Sequence, residues 1–274
     1  MFEKMKIRYL LALLFLLYAA GRLGPLLFPG SEEGIALITQ LLAFLVVPLV
    51  FFGYYFRKQQ LSVSDVATRK GFRRWIFPIL GLALLLVVLS FGTMWLKLFL
   101  LFPIAPSLVE SYFQDNAAVD GSLFFTLNLL LVIFIFPIVD EFIFRGAILK
   151  RLIAKTSKWT GILIASLLYS LLFADFFGAF VFSVAASLLY LKTNNLLIPI
   201  ALNFAYTWIF SAGMLFAPPD WPAWLMLMET SDIYSKALPN ALVLLASLLL
   251  TAWAIKRLLK AKRTEVEEEA VASV

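Results

Sequence analysis

Residues 122–150 read SLFFTLNLLLVIFIFPIVDEFIFRGAILK, an apolar stretch long enough to cross a bilayer as a helix. Three ionisable residues, Asp140, Glu141 and Arg145, lie inside it. Charge at membrane depth costs several kcal/mol, so it persists where the side chain faces a protein interior or a wet cavity and has a function there. This stretch therefore predicts a helical membrane protein and marks its candidate functional centre.

The composition of the whole chain is typical of an integral membrane protein. Of its 274 residues, 62% are hydrophobic and 15% are charged, and the mean hydropathy is +0.94. A soluble domain is about half apolar and a quarter charged, so we expect this chain to lie in a bilayer. The chain contains no histidine and no cysteine. That composition excludes disulfides, cysteine nucleophiles and zinc sites built on thiolate or imidazole.

Apolar windows of membrane-spanning length predict an all-α, polytopic membrane helix bundle with about eight transmembrane helices. The predicted spans are 9–29, 34–56, 75–101, 122–147, 160–174, 176–191, 195–216 and 239–255. The segments between them alternate in charge, and most of the 23 basic residues fall on one side of the membrane. The positive-inside rule therefore predicts that both termini are cytoplasmic. The formal charge of +6 thus indicates topology and not a nucleic-acid partner.

The chain divides into three predicted segments. Residues 1–121 contain the N-terminal transmembrane helices and their loops, 122–216 a core, and 217–274 an external loop, the last transmembrane helix and a cytoplasmic tail. The first span continues through Arg22 and Pro25 without a small-residue cleavage site, so we expect a retained helix and not a signal peptide. Short loops and the lack of a targeting peptide favour a bacterial cytoplasmic membrane, with membrane lipids as partners.

The acidic pair is predicted to lie near the middle of the membrane. Asp140 and Glu141 precede Lys150, at the cytoplasmic end of the span, by about nine residues, or ~14 Å of helix. Arg145 follows Glu141 by four positions, within ion-pairing reach on one helix face. One interpretation is that Glu141 and Arg145 only neutralise each other's charge. Asp140, which points about 100° away around the helix axis, then still needs a partner. Two carboxylates with one guanidinium form a net negative site, which is typical of a proton acceptor.

Polar residues of a later span are predicted at the same depth. Asn203 lies about eleven residues beyond Lys192, and Thr207 follows it by four positions on the same helix face. Pro199 would loosen the backbone there, as happens around intramembrane cavities. Asn203 and Thr207 also fit a simpler role as hydrogen-bonding contacts between helices. Asp175, after the fifth span, is a further acidic residue that we expect near the site.

Three segments resemble the motifs of one family. Residues 136–146, FPIVDEFIFRG, resemble the Glu-Glu-x-x-x-Arg motif of the CAAX-protease and bacteriocin-processing (CPBP/Abi) intramembrane endopeptidases. Residues 166–178, SLLYSLLFADFFG, are similar to the second motif, Phe-x-x-x-His, and residues 190–207 to the third, His-x-x-x-Asn. The resemblance covers about 122–210. It implies an all-helical membrane bundle with a conical cavity that reaches the catalytic cluster from one membrane face.

The resemblance assigns roles to the residues of the first motif. Asp140 stands where the family has its first Glu, which together with the second-motif His activates a water molecule. Its carboxylate is one methylene shorter than that of Glu. Glu141 and Arg145 match the motif. We therefore expect Asp140 and Glu141 to form the catalytic base of any hydrolysis of a prenylated peptide or membrane-protein substrate.

Both histidine positions of the family are replaced. Phe173 occupies the second-motif His position and can neither bind a metal nor transfer a proton. The third-motif His falls on Asn203 and its Asn on Thr207, so an oxyanion-stabilising donor survives while the imidazole does not. The candidate catalytic residues are Asp140, Glu141, Arg145, Asn203 and Thr207. Because carboxylates alone suit zinc poorly, no metal or other cofactor is expected.

Loss of a positioned acid–base group lowers a rate by ~10²–10⁴, and loss of an oxyanion donor by ~10²–10³. The sequence thus predicts a CAAX-protease-like homologue that is severely impaired, or a pseudoenzyme. One alternative is a non-catalytic membrane scaffold or regulator that binds a helical or lipid-modified partner in the former substrate cavity. Another is a transporter that uses the carboxylates as a cation or proton site. The lack of a visible repeat, and of an acidic residue in the seventh span, disfavours the transporter.

Overall fold

The structure is a computed structural model and describes residues 5–28, 30, 32–115, 123–218 and 220–272. Every regular element in these ranges is helical, which confirms the all-α prediction. The helices are α1 (Ile7–Leu27), α2 (Glu33–Lys58), α3 (Phe72–Leu101), α4 (Pro106–Asp115), α5 (Phe125–Lys155), α6 (Lys158–Ser170), α7 (Phe176–Thr193), α8 (Leu197–Phe216), α9 (Asp232–Ser235) and α10 (Ala237–Ala272).

Five helices are long and apolar enough to cross a membrane. They are α2, α3, α5, α7 and the Ala237–Lys260 part of α10, and they coincide with five of the predicted spans. Shorter apolar stretches, Ile7–Gly21 and Leu197–Gly213, coincide with the first and seventh spans. Helix α6, at the fifth span, has 13 residues, too few for the ~20 of a spanning helix. The five long apolar helices identify the chain as an integral membrane protein. The count of eight transmembrane helices and the cytoplasmic placement of both termini remain predictions.

Two of the long helices contain a π-helical segment directly before a turn with a proline. These segments are Leu42–Val46 in α2 and Leu131–Ile135 in α5, and the prolines are Pro48 and Pro137. Proline has no N–H and its ring clashes with the preceding turn of an α-helix, so a wider turn relieves the clash. The rings of Phe44 and Phe136 stack with centroids 3.9 Å apart. This contact packs α2 against the helix that contains the acidic pair.

A further π-helical segment, Phe142–Leu149, begins directly after the acidic pair and is almost wholly buried. Between the two π-helical segments of α5, only the six residues Phe136–Glu141 are α-helical. Such turns are rare and occur frequently at functional sites. The local backbone therefore singles out the same part of α5 as the motif does.

Helix α3 packs against α7, α8 and α10. Gly92 allows the close crossing with α10, since a Cβ at this position would lie 2.8 Å from the Leu244 Cα. The main buried cluster extends from Met5 at the N-terminal end to Ile255 in α10. Residues outside 122–216 therefore complete the packing around the core, and the division of the chain into three segments stays a prediction.

One expectation about α8 is wrong. Pro199 was predicted to loosen the backbone near Asn203, but it lies in the first turn of α8, which begins at Leu197. The N–H groups of a first turn have no acceptor within their helix, so a proline there removes no hydrogen bond. Asn203 consequently projects from regular helix.

Candidate functional site

Glu141 and Arg145 form a buried ion pair on α5. Arg145 Nη1 donates to Glu141 Oε1 at 3.0 Å, and neither side chain is exposed to any extent. The predicted pairing of these two residues is therefore confirmed. Because the pair is enclosed, removal of either partner leaves an uncompensated charge in the bundle, which is far more costly than breaking an exposed pair.

Asn203 joins the pair from helix α8. Its Nδ2 donates to Glu141 Oε1 at 3.1 Å, and Thr207 Oγ1 donates to Asn203 Oδ1 at 3.3 Å. The Thr207 hydroxyl thus donates to the amide oxygen of Asn203, and the amide nitrogen donates to the Glu141 carboxylate. The predicted convergence of α8 on the acidic pair is confirmed. In this arrangement Asn203 connects α8 to α5, and Thr207 orients the Asn203 amide from within α8.

Two aromatic rings cover the guanidinium group of Arg145. Its Cζ lies 4.6 Å from the centre of the Tyr169 ring and 5.7 Å from that of the Phe182 ring. Such a contact stabilises a desolvated cation by about 2 kcal/mol. The sequence analysis missed both residues. Tyr169 had a usable signal, because it begins the second motif four positions before Phe173, whereas Phe182 had none.

Phe173, at the second-motif histidine position, lies beyond the C-terminal end of α6. Its side chain is 38% exposed, and its ring centroid is 4.6 Å from that of Tyr169. The phenyl group neither donates nor accepts a hydrogen bond and binds no metal. Tyr169 therefore contacts Phe173 as well as Arg145. Phe173 thus contributes packing at the edge of the cluster that Asp140, Glu141, Arg145, Asn203 and Thr207 form.

Asp140 has different surroundings from its neighbour. It is 4% exposed, and among the described residues the hydrogen bonds of the acidic pair all go to Glu141. Three buried atoms of the ion pair, Glu141 Oε2 and Arg145 Nε and Nη2, also have no hydrogen-bond partner in the described chain. The cluster therefore contains one carboxylate that is held firmly and one that is not.

Asp175 has partners of its own at the start of α7. It accepts hydrogen bonds from the Gly178 N–H at 3.1 Å and from Thr93 Oγ1 of α3 at 2.8 Å. A Cβ at Gly178 would collide with the Asp175 side chain, so glycine suits this position. Asp175 thus acts as a helix cap. Within the described residues it makes no hydrogen bond to the acidic pair, near which it was expected.

The acidic side chains of the cluster are two neighbouring carboxylates, Asp140 and Glu141. Across the described ranges, no group of three or more His, Cys, Asp or Glu side chains is placed to hold a metal. The side chains of the cluster can exchange a proton through a carboxylate, pair charge with Arg145, and form hydrogen bonds through the Asn203 amide and the Thr207 hydroxyl.

A sequence model of the family described as Type II CAAX prenyl endopeptidase Rce1-like matches residues 122–209. The predicted resemblance to CAAX endopeptidases is confirmed. The matched segment is about a third of the chain and includes all three motif positions, from Asp140 to Thr207. No curated protein and no solved structure matches the chain.

Proposed function

We propose that the protein is a CAAX-protease-like membrane endopeptidase homologue whose hydrolytic activity is lost or severely impaired. The observation that supports this most directly is the enclosure of Glu141. One of its oxygens accepts hydrogen bonds from both Arg145 and Asn203, and its side chain has no exposed area. A general base needs hydrogen-bond reach to the proton that it removes, and Glu141 is engaged in holding α5 and α8 together.

The residue at the second-motif position supports the same conclusion. Phe173 cannot share a proton with a water molecule, and the missing acid–base group alone lowers the expected rate by ~10²–10⁴. Asn203, at the other histidine position, donates its amide hydrogen to Glu141. One of the two amide hydrogens is thus held by the protein's own carboxylate, which leaves at most one for an oxyanion of the substrate.

The role that remains for such a homologue is binding. We propose that it binds a helical or lipid-modified partner, such as a prenylated peptide or a membrane protein, in the cavity that the family uses for substrate. In this proposal the Glu141–Arg145 pair fixes the shape of the bundle around the partner. The protein would act in a bacterial cytoplasmic membrane as a scaffold or regulator.

A second candidate function is residual proteolysis by the acidic pair. It is favoured by Asp140, which is 4% exposed as a residue and lacks the hydrogen bonds that fix Glu141. Two close carboxylates can share one proton, so that one acts as base while the other acts as acid. Asp140 would activate the water molecule in this mechanism, and Arg145 would balance the charge.

Cleavage of a peptide library by the full-length protein in lipid distinguishes these functions. The library contains prenylated and unprenylated versions of each peptide, and the protein is compared with Glu141→Gln and with a Phe173→His/Asn203→His variant. We expect the parent protein to leave all peptides intact and to retain prenylated ones in a pull-down. We expect the histidine variant to gain measurable cleavage.

Cleavage by the parent that Glu141→Gln abolishes would overturn the proposal and establish proteolysis without an imidazole. A folded histidine variant that stays inert would show that positions 173 and 203 do not face a hydrolytic site. Equal retention of prenylated and unprenylated peptides would argue against a lipid-modified partner.

A further inference from the structure

A cavity of about 320 Å³ lies at the basic end of the bundle, away from the acidic pair. It is bounded by the loop before α3, the start of α3, the α7–α8 turn and α10. The lining includes Lys70, Arg74, Trp75, Lys192, Ile198 and Leu258. The charge distribution predicts that this end faces the cytoplasm.

The walls of the cavity are fixed by hydrogen bonds from one buried side chain. Asn195, 6% exposed, accepts from the Thr68 N–H at 3.1 Å and donates to the Thr68 carbonyl at 2.8 Å. The Leu196 N–H also donates to the Val66 carbonyl at 2.8 Å. These bonds join the loop before α3 to the α7–α8 turn, although more than a hundred residues separate them in sequence. A ligand would therefore enter a site that is already formed.

The charged residues of the lining are all cationic: Lys70, Arg74 and Lys192. The side chain of Arg74 folds back over Gly71, where a Cβ would lie 3.7 Å from its Nε. Gly71 has a φ of +71°, which glycine adopts without strain, so the turn and the position of the guanidinium depend on the same residue. Lys192 Nζ lies 5.5 Å from the centre of the Trp75 ring.

The apolar side chains of the lining lie nearer the bundle interior than two of the cations do. Trp75 and Ile198 are buried, and Leu258 is half-buried, whereas Lys70 and Arg74 are exposed. A small inorganic anion would use only the cations. A molecule with a phosphate at one end and hydrocarbon at the other would use both parts of the cavity.

We propose that this cavity binds the headgroup phosphate of an anionic phospholipid. The three cations contact the phosphate, and the first part of an acyl chain lies against Ile198 and Leu258. The site is independent of hydrolysis at the acidic pair. A bound lipid would tie α3, α7, α8 and α10 together at one end of the bundle.

Native mass spectrometry of the full-length protein in neutral detergent tests the proposal. The protein is titrated with phosphatidylglycerol, with phosphatidylcholine, and with inorganic phosphate as a competitor. Each cation near a phosphate contributes about fivefold in affinity. We therefore expect Lys70→Gln/Arg74→Gln/Lys192→Gln to weaken phosphatidylglycerol binding on the order of a hundredfold. Phosphatidylcholine should bind the parent more weakly than phosphatidylglycerol does.

The matched control is Arg57→Gln/Lys58→Gln/Lys155→Gln, which removes three charges outside the lining. It should bind phosphatidylglycerol almost as the parent does, and an equal loss would show diffuse surface attraction and overturn the proposal. Leu258→Ser should weaken lipid binding but not phosphate binding. If it changes neither, and free phosphate competes fully, the site binds phosphate and not a lipid. If the triple variant fails to fold, the exposed single variants Lys70→Gln and Arg74→Gln give the same comparison.

Discussion

Two ion pairs in this protein share their spacing and length but differ in how far they are enclosed. Glu141–Arg145 and Asp232–Lys236 are both four residues apart on a helical stretch, and both have an N–O distance of 3.0 Å. The first pair is wholly enclosed. In the second, the lysine side chain is 24% exposed and the aspartate side chain 12%. Sequence spacing predicts both pairs equally well, so the energetic difference comes from what surrounds them.

The partly exposed pair, Asp232–Lys236, is satisfied by partners that lie close to it in sequence. Asp232 also accepts hydrogen bonds from the N–H groups of Met228 and Glu229, and Lys236 also donates to the Met226 carbonyl. All these partners belong to one short stretch of chain. This pair organises the loop before α10, and its loss would affect little else.

The buried pair depends on residues from other helices. Asn203 of α8 donates a hydrogen bond to Glu141, and the rings of Tyr169 and Phe182 cover Arg145. Several of its atoms nonetheless have no hydrogen-bond partner in the described chain. Such a pair is costly to break on one side but much less costly to replace as a whole.

The largest effect is expected from removal of one partner of the buried pair. Glu141→Ala leaves Arg145 without its carboxylate inside the bundle and should destabilise the protein by about 3–5 kcal/mol. Asp140→Asn should cost much less, because Asp140 is the carboxylate without a fixed partner. Thermal unfolding of both variants in the same detergent measures the difference. Equal stability of the two variants would refute the pairing as the main role of Glu141.

A smaller effect is expected from the ring that covers Arg145. Tyr169→Leu should destabilise the protein by about 2 kcal/mol beyond its packing loss, since the cation–π contact is desolvated. Tyr169→Phe keeps the ring and should change little. The packing loss is measured by Tyr169→Leu in a Glu141→Gln/Arg145→Met background, which has no cation. If Tyr169→Leu costs the same in both backgrounds, the ring does not stabilise the charge.

The smallest effect is expected from the partly exposed pair, Asp232–Lys236, and it depends on pH. Partial burial acts to raise the pKa of Asp232, but hydrogen bonds from Met228, Lys236 and Glu229 and the charge of Lys236 hold this pKa below its ordinary value. The stabilisation is therefore complete above the unfolded pKa of about 3.9 and is lost as the pH falls through the folded pKa.

Exposed pairs of this spacing contribute about 0.3–0.5 kcal/mol. Unfolding midpoints of the parent and Asp232→Asn, measured from neutral to acidic pH, should differ slightly at neutral pH and converge in acid. A difference that grows towards acid would have the wrong sign for a carboxylate with a lowered pKa.

The sequence was sufficient where a contact depends on spacing along one helix or on depth in the membrane. The spacing of Glu141 and Arg145 predicted their pair, and the depth of Asn203 predicted its approach from α8. The family motifs marked the correct segment, 122–209. These features follow from helical geometry and the thickness of a bilayer.

The remaining features depend on how helices pack, which periodicity does not specify. Phe182 covers Arg145 only because α7 lies beside α5 and α6, and no local pattern distinguishes it from other buried phenylalanines. The π-helical segments of α5 likewise arise around Pro137 in a packed bundle. Asp175 was expected near the acidic pair, but its carboxylate caps the start of α7 by accepting a hydrogen bond from the Gly178 N–H.

The central claim is that the acidic motif now stabilises the bundle, and a double-mutant cycle on the buried pair tests it most directly. Thermal unfolding would be measured for Glu141→Gln, Arg145→Met and the double variant in one detergent. We predict that each single variant is destabilised by about 3–5 kcal/mol and that the double variant loses far less than their sum. Additive losses in the double variant would show that the two residues act independently and would contradict the claim.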